Sequence, residues 1–197
     1  MSQLTQTNSV SQLKESLEQF SAPVYARTMR SAETYRSVSS HCRKHLARLV
    51  GEYRAVQNDQ QQLRELRNDI DYYLRRYHAY CIKERLGVHA HYHEVGVEDR
   101  FDFEHLIPAA RVRDLLLAET ITIDQAINAP TVRLSRDKHE QLKDAGWAST
   151  TPNMWLPFER YLQVFDAQFQ TYDGTLVDPT SWTLENHYNY FAHLIEN

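Results

Sequence analysis

Three stretches decide how this chain reads: Phe101-Asp102-Phe103-Glu104-His105-Leu106-Ile107-Pro108, then Asn128-Ala129-Pro130-Thr131-Val132-Arg133-Leu134, then Ser135-Arg136-Asp137-Lys138-His139-Glu140. In the second, Thr131 to Leu134 reads as a short strand. Ser135 is placed to cap a helix that runs to about Ala145, and Gly146 supplies its C-terminal stop. His139 then sits in the first turns of that helix. Glu104-His105 reads as the end of an extended segment. Between His105 and Asn128 the chain reads as helical. Pro108 to Ala118 forms one helix, with Pro in its first turn. Ile123 to Ile127 forms a short second one, capped by Thr122.

Upstream, the pattern changes to a long helical stripe. From about Ser31 to Arg85 there is no Pro and one Gly, Gly51. Leu46, Leu49, Tyr53 and Val56 recur in steps of three and four, and so do Leu63, Leu66, Ile70, Tyr73, Tyr77 and Tyr80. The phase slips through Asn58-Asp59-Gln60-Gln61-Gln62, which marks either a bend in one helix or the turn of a helical hairpin. A hairpin would bring Cys42 and Cys81 to similar heights. The stripe calls for a partner helix, the rest of the chain, or a second copy. Its spacing favours packing over stacking on bases.

Downstream, His89, His91 and His93 alternate, so a strand there puts them on one face. Three imidazoles in that pattern are either a Zn²⁺ or Ni²⁺ site or a solvated strand edge, and the edge is favoured. Pro157 to Gln170 is expected as a helix carrying Phe158, Tyr161, Leu162, Phe165 and Phe169. Asp173-Gly174 is a turn signal. A last helix is expected from Leu184 to Ile195.

The chain has 197 residues and a net charge of −4. That charge is divided unevenly. Residues 21–86 carry 13 Lys/Arg against 7 Asp/Glu, and residues 87–197 carry 8 against 17. A nucleic-acid strand along the basic half is one consequence, and attraction between the halves is another. No run approaches the roughly 20 apolar residues of a membrane span. Met1 to Gln19 is polar, and two cysteines make no disulfide framework. The expectation is a cytoplasmic protein without a membrane partner. No Gly-rich phosphate loop or serine-elbow motif is present. The cluster His41-Cys42-Arg43-Lys44-His45 reads as a basic helix face.

Taken together, Glu104-His105, Asn128 and His139 resemble the HNH nucleases, whose core is a hairpin followed by a helix around a metal ion. Glu104-His105-Leu106-Ile107-Pro108 is similar to that family's motif of an acidic residue and His at the end of the first strand. Asn128 matches the Asn that opens the second strand, and His139 the helical His. The resemblance covers residues 101–146. It implies that Glu104 and His139 hold Mg²⁺, Mn²⁺ or Zn²⁺, a hard cation that neutralises charge on a scissile phosphate. It implies His105 as general base and Asn128 as the residue that orients it. Arg133, Arg136 and Lys138 flank the helix start and are placed to hold phosphate oxygens.

The expected class is mainly α with a small β component. A flexible segment 1–20 precedes a basic helical module 21–86, and an α+β domain 87–197 with a ββα-metal-like core and C-terminal helices follows. The expected function is metal-dependent cleavage of nucleic acid, DNA above RNA, by a chain that self-associates through helices in 31–86. The alternative is a non-catalytic binding or assembly protein working through its helical stripe.

Overall fold

The computed structural model describes residues 32–86, 90–97 and 100–194. The expected flexible segment 1–20, the start of the helical module and His89 lie outside them.

Helices α1 (Ala32–Ala55) and α2 (Gln60–Leu86) form an antiparallel hairpin. From sequence alone, hairpin and bent helix are equally open, because no Gly or Pro marks the turn. The turn is made by Asn58 in the left-handed region, at φ +66°. Asn tolerates that conformation better than most residues. Asp59 then caps α2, its Oδ1 accepting from the Gln62 N–H at 2.9 Å.

The buried line on α1 is Cys42, Leu46, Leu49 and Val50, and on α2 it is Leu66, Ile70, Leu74 and Tyr77. Leu63 and Tyr73 are half-buried at its edge. These residues share one core with Ile107, Val112, Leu115, Leu116, Ala126 and Ile127. Those partners come from the segment between His105 and Asn128, which folds as α3 (Ala109–Leu117) and α4 (Ile123–Ile127). Most of the helical stripe is therefore covered within the chain. Thr122 caps α4 as expected, in a reciprocal box with Gln125.

The sheet has five strands: β1 (Tyr92–Glu94), β2 (Phe101–His105), β3 (Thr131–Ser135), β4 (Phe169–Thr171) and β5 (Leu176–Val177), in the order β2-β3-β1-β4-β5. β1 and β3 are parallel and the other pairs antiparallel. The architecture is thus mixed α+β. β3 passes directly into α5 (Arg136–Asp144), which packs back on β2 and β3. Gly146, at φ +78°, ends α5 by letting the Trp147 N–H reach the Leu142 carbonyl.

One face of the sheet carries Tyr92, Val132, Leu134 and Phe169 into a second core with Leu106, Leu142, Phe158, Tyr161 and Phe191. The expected helix from Pro157 to Gln170 is corrected here. Only α6 (Glu159–Leu162) is helical, and Phe169 lies in β4 opposite Glu94. An aromatic-rich run fits a short helix and a buried strand equally well, and pairing with β1 decides. The last helix, α7, also ends earlier than expected, spanning Leu184–Tyr190 behind a Thr183/Asn186 capping box.

Candidate active site

Strand alternation sorts the residues of β2. Asp102 and Glu104 face the side that carries Val132 and Leu134, while Phe101, Phe103 and His105 face the other. Helix α5 crosses the first side, and its buried Leu142 fixes which of its faces looks inward. His139, one turn before Leu142, lands between the two carboxylates. Its Nδ1 is 2.8 Å from Asp102 Oδ2, and its Nε2 is 3.4 Å from Glu104 Oε2. All three side chains keep some exposure: 31% for Asp102, 15% for Glu104 and 16% for His139.

These distances fix what the ring does. At 2.8 Å, Nδ1–H donates to Asp102, which leaves Nε2 turned toward a carboxylate oxygen. Two acceptors face each other stably only with a positive charge shared between them, a proton or a metal ion. The 3.4 Å gap is longer than a charge-assisted hydrogen bond.

Glu104 is held from behind by Arg160, which has no exposed surface. Arg160 donates to Glu104 Oε1 at 2.7 Å, to the Tyr161 hydroxyl at 3.0 Å and to the Trp147 carbonyl at 2.8 Å. It also donates to the His105 carbonyl. Burial disfavours its charge, but Tyr161 and Glu104 outweigh burial and hold it above its ordinary value. One oxygen of Glu104 is thereby anchored and the other is left facing His139. Around this cluster, Arg136 Nε stands 3.7 Å from Asp102 and is mostly exposed. Lys143 is exposed on the same helix, its pKa raised first by its bond to Glu140 and further by Asp102 and Glu104.

The remaining sequence-selected residues lie elsewhere. His105 is buried on the opposite face of β2, its Nε2 2.9 Å from His78 Nδ1. His78 Nε2 is 2.8 Å from the Ala126 carbonyl, which can only accept, so His105 is the donor to His78. Burial first, then His78 and Arg75, keep His105 well below its usual range. Asn128 ends α4 and is buried; its amide donates to the Asp124 carbonyl at 2.8 Å. Its own carbonyl accepts from His187 Nε2 at 2.7 Å.

Arg133 lies across the sheet from Glu104, with its guanidinium 3.8 Å above the Phe101 ring. Lys138 is tied to Glu94 at 2.7 Å and to the Asp166 carbonyl at 3.0 Å. His91 is buried beside Thr131, and His93 meets Gln170 at 2.6 Å, so those two imidazoles do not converge. Burial pushes the Cys42 thiol up, consistent with a packed rather than a reactive cysteine.

The structure therefore brings Glu104, His139 and Arg136 together, and places His105, Asn128, Arg133 and Lys138 apart from them. Asp102 and Arg160 were missed by sequence reasoning. Asp102 carried a signal, since a carboxylate two residues before Glu104 on a strand shares its face. Arg160 carried none, because it arrives from a distant helix. Among the described residues, no group of three or more His, Cys, Asp and Glu converges as a metal-binding set. No helix among them is long and apolar enough to cross a membrane. No family model, curated protein or solved structure matches the chain.

Proposed function

We propose that the chain hydrolyses phosphodiester bonds of nucleic acid, using a divalent metal ion held by Glu104 and His139 in an HNH-like ββα core. The observation that carries this reading is the His139 ring set between Asp102 and Glu104, with β2, β3 and α5 supplying the parts in the order the resemblance implies. The donor set fits. One carboxylate and one imidazole suit Mg²⁺, Mn²⁺ or Zn²⁺, and Mg²⁺ in particular leaves several positions to water and substrate phosphate. Bound there, such an ion would supply charge neutralisation at the phosphate, and Zn²⁺ would also bring a water acidic enough to lose its proton near neutral pH.

The chain's own residues do the rest. Asp102 accepts from His139 Nδ1, fixing the tautomer in which Nε2 keeps its lone pair free for an ion. Arg160 fixes Glu104 so that a single oxygen faces the site. Arg136 puts positive charge at its mouth, where phosphate oxygens approach. His105 acts from the other face, bracing α2 against the strand end. That placement favours a second reading, a nucleic-acid-binding protein of the same shape that does not cut.

Mn²⁺ binding followed by electron paramagnetic resonance tests the proposal. The wild type binds one ion, and Glu104→Gln and His139→Ala lose it while keeping the wild-type circular dichroism spectrum. Equal binding by all three proteins, or none by the wild type, overturns the site.

A further inference from the structure

At the tip of the α1–α2 hairpin, away from Glu104 and His139, three guanidinium groups line one concavity. Arg64, Arg67 and Arg113 surround a cavity of about 370 Å³ together with Tyr53, Gln60 and Asn68. None of its lining residues is acidic. The carboxylate that serves these cations stands beside it. Asp114 Oδ1 is shared by Arg67 at 2.6 Å and Arg113 at 2.9 Å, and Oδ2 lies 3.9 Å from Arg111. One carboxylate thus faces three guanidiniums, and Arg64 adds a fourth that is exposed.

Excess positive charge in a concave site focuses the field on whatever anion enters it. Planar guanidinium forks match the oxygens of a phosphate, and the Tyr53 hydroxyl and the Gln60 and Asn68 amides add neutral donors. Burial on only part of the rim leaves room for a tetrahedral group. Arg67 is charged like any arginine, and its bond with Tyr53 first, then Asp114, raises its pKa further.

We propose that this pocket is a phosphate-binding site, and that the phosphate belongs to a nucleic-acid backbone. The pocket stands on its own geometry; the backbone as its source rests on the function proposed above. Tyr53, Gln60, Arg64, Arg67 and Asn68 belong to residues 21–86, which carry 13 Lys/Arg against 7 Asp/Glu. That excess of positive charge along the hairpin suits a polyanion.

Arg64→Glu and Asn68→Asp test this, since both side chains lie at the exposed rim and outside the Asp114 ion pairs. Arg48→Glu is the control: it changes the net charge as much as Arg64→Glu does and more than Asn68→Asp, on an exposed part of α1. The probes are inorganic phosphate by calorimetry and a duplex of about 20 base pairs by fluorescence anisotropy across a salt series. Each pocket variant is expected to lose phosphate binding, to weaken the duplex at least about tenfold at low salt, and to lower the salt slope by about one. Phosphate binding lost with duplex affinity unchanged keeps the pocket and identifies free phosphate as its ligand. Neither probe binding the wild type, both binding the variants as well as the wild type, or Arg48→Glu weakening the duplex equally, overturns the pocket. None of these readouts needs cutting, so they separate this site from the fate of Glu104 and His139.

Discussion

Lowering the pH from 7 to 5 should strip this protein of much of its stability, through histidines buried in the neutral state. His78 and His187 have no exposed surface, and burial pushes both down to about 4. His91 and His105 are shifted in the same direction, also by burial first. In the unfolded chain each titrates near 6.5. Between those values the unfolded state binds more protons than the folded one, so stability is full above about pH 6.5 and falls as the pH drops toward 4. For one group shifted from 6.5 to about 4 the loss at pH 5 is about 2 kcal/mol, so His78 and His187 together remove about 4 kcal/mol. That is a large part of the roughly 5–15 kcal/mol that holds a typical domain folded. Neither ring has room to accept the proton. His78 donates to Ala126 and accepts from His105, and His187 donates to Asn128 and accepts from the Tyr92 hydroxyl. Urea unfolding at pH 7, 6 and 5, by wild type and His187→Gln, measures the effect. The variant should lose about 2 kcal/mol less than wild type between pH 7 and 5, whatever its stability at pH 7. A wild-type stability flat from pH 7 to 5, or the same slope in the variant, would refute the reasoning.

Arg160→Met should destabilise the fold by about 3–5 kcal/mol in chemical denaturation, because it leaves the Glu104 carboxylate without its buried partner. Asp102→Asn should keep the fold and weaken Mn²⁺ binding about 10–100-fold in calorimetry, since it removes the negative charge behind His139 Nδ1 and lets an amide N–H take the acceptor's place. Thr183→Ala should cost about 1 kcal/mol in thermal or urea unfolding through loss of the α7 cap. His105→Ala should leave Mn²⁺ binding intact and lower stability, because its ring meets His78 rather than the Glu104–His139 pair.

The elements that carry strong local signals were legible from sequence. Thr122 placed α4 by capping it; α5 starts directly after Ser135 as expected, although the Ser135 side chain makes no capping bond; and Asp173-Gly174 marked the turn between β4 and β5. The site was half legible, for a geometric reason. Glu104 and His139 are separated by an inserted helical pair, yet the hairpin and α5 bring them together. His105 was credited with a role at the same site, but neighbours on a strand point to opposite faces, so Glu104 and His105 cannot both face α5. The run from Pro157 to Gln170 misled because its aromatic spacing fits a helix, while pairing with β1 lies far away in sequence. Asn58 hid the hairpin, since the left-handed turn uses Asn where the reading sought Gly.

Cutting itself is tested most directly by following supercoiled plasmid with wild type, Glu104→Gln and His139→Ala, each checked for folding, in Mg²⁺, Mn²⁺ or Zn²⁺ and in chelator. Metal-dependent nicking by the wild type that disappears in both variants and in chelator is the predicted result. A folded wild type that leaves the plasmid intact with every metal, or variants that nick as well as it does, would contradict the account.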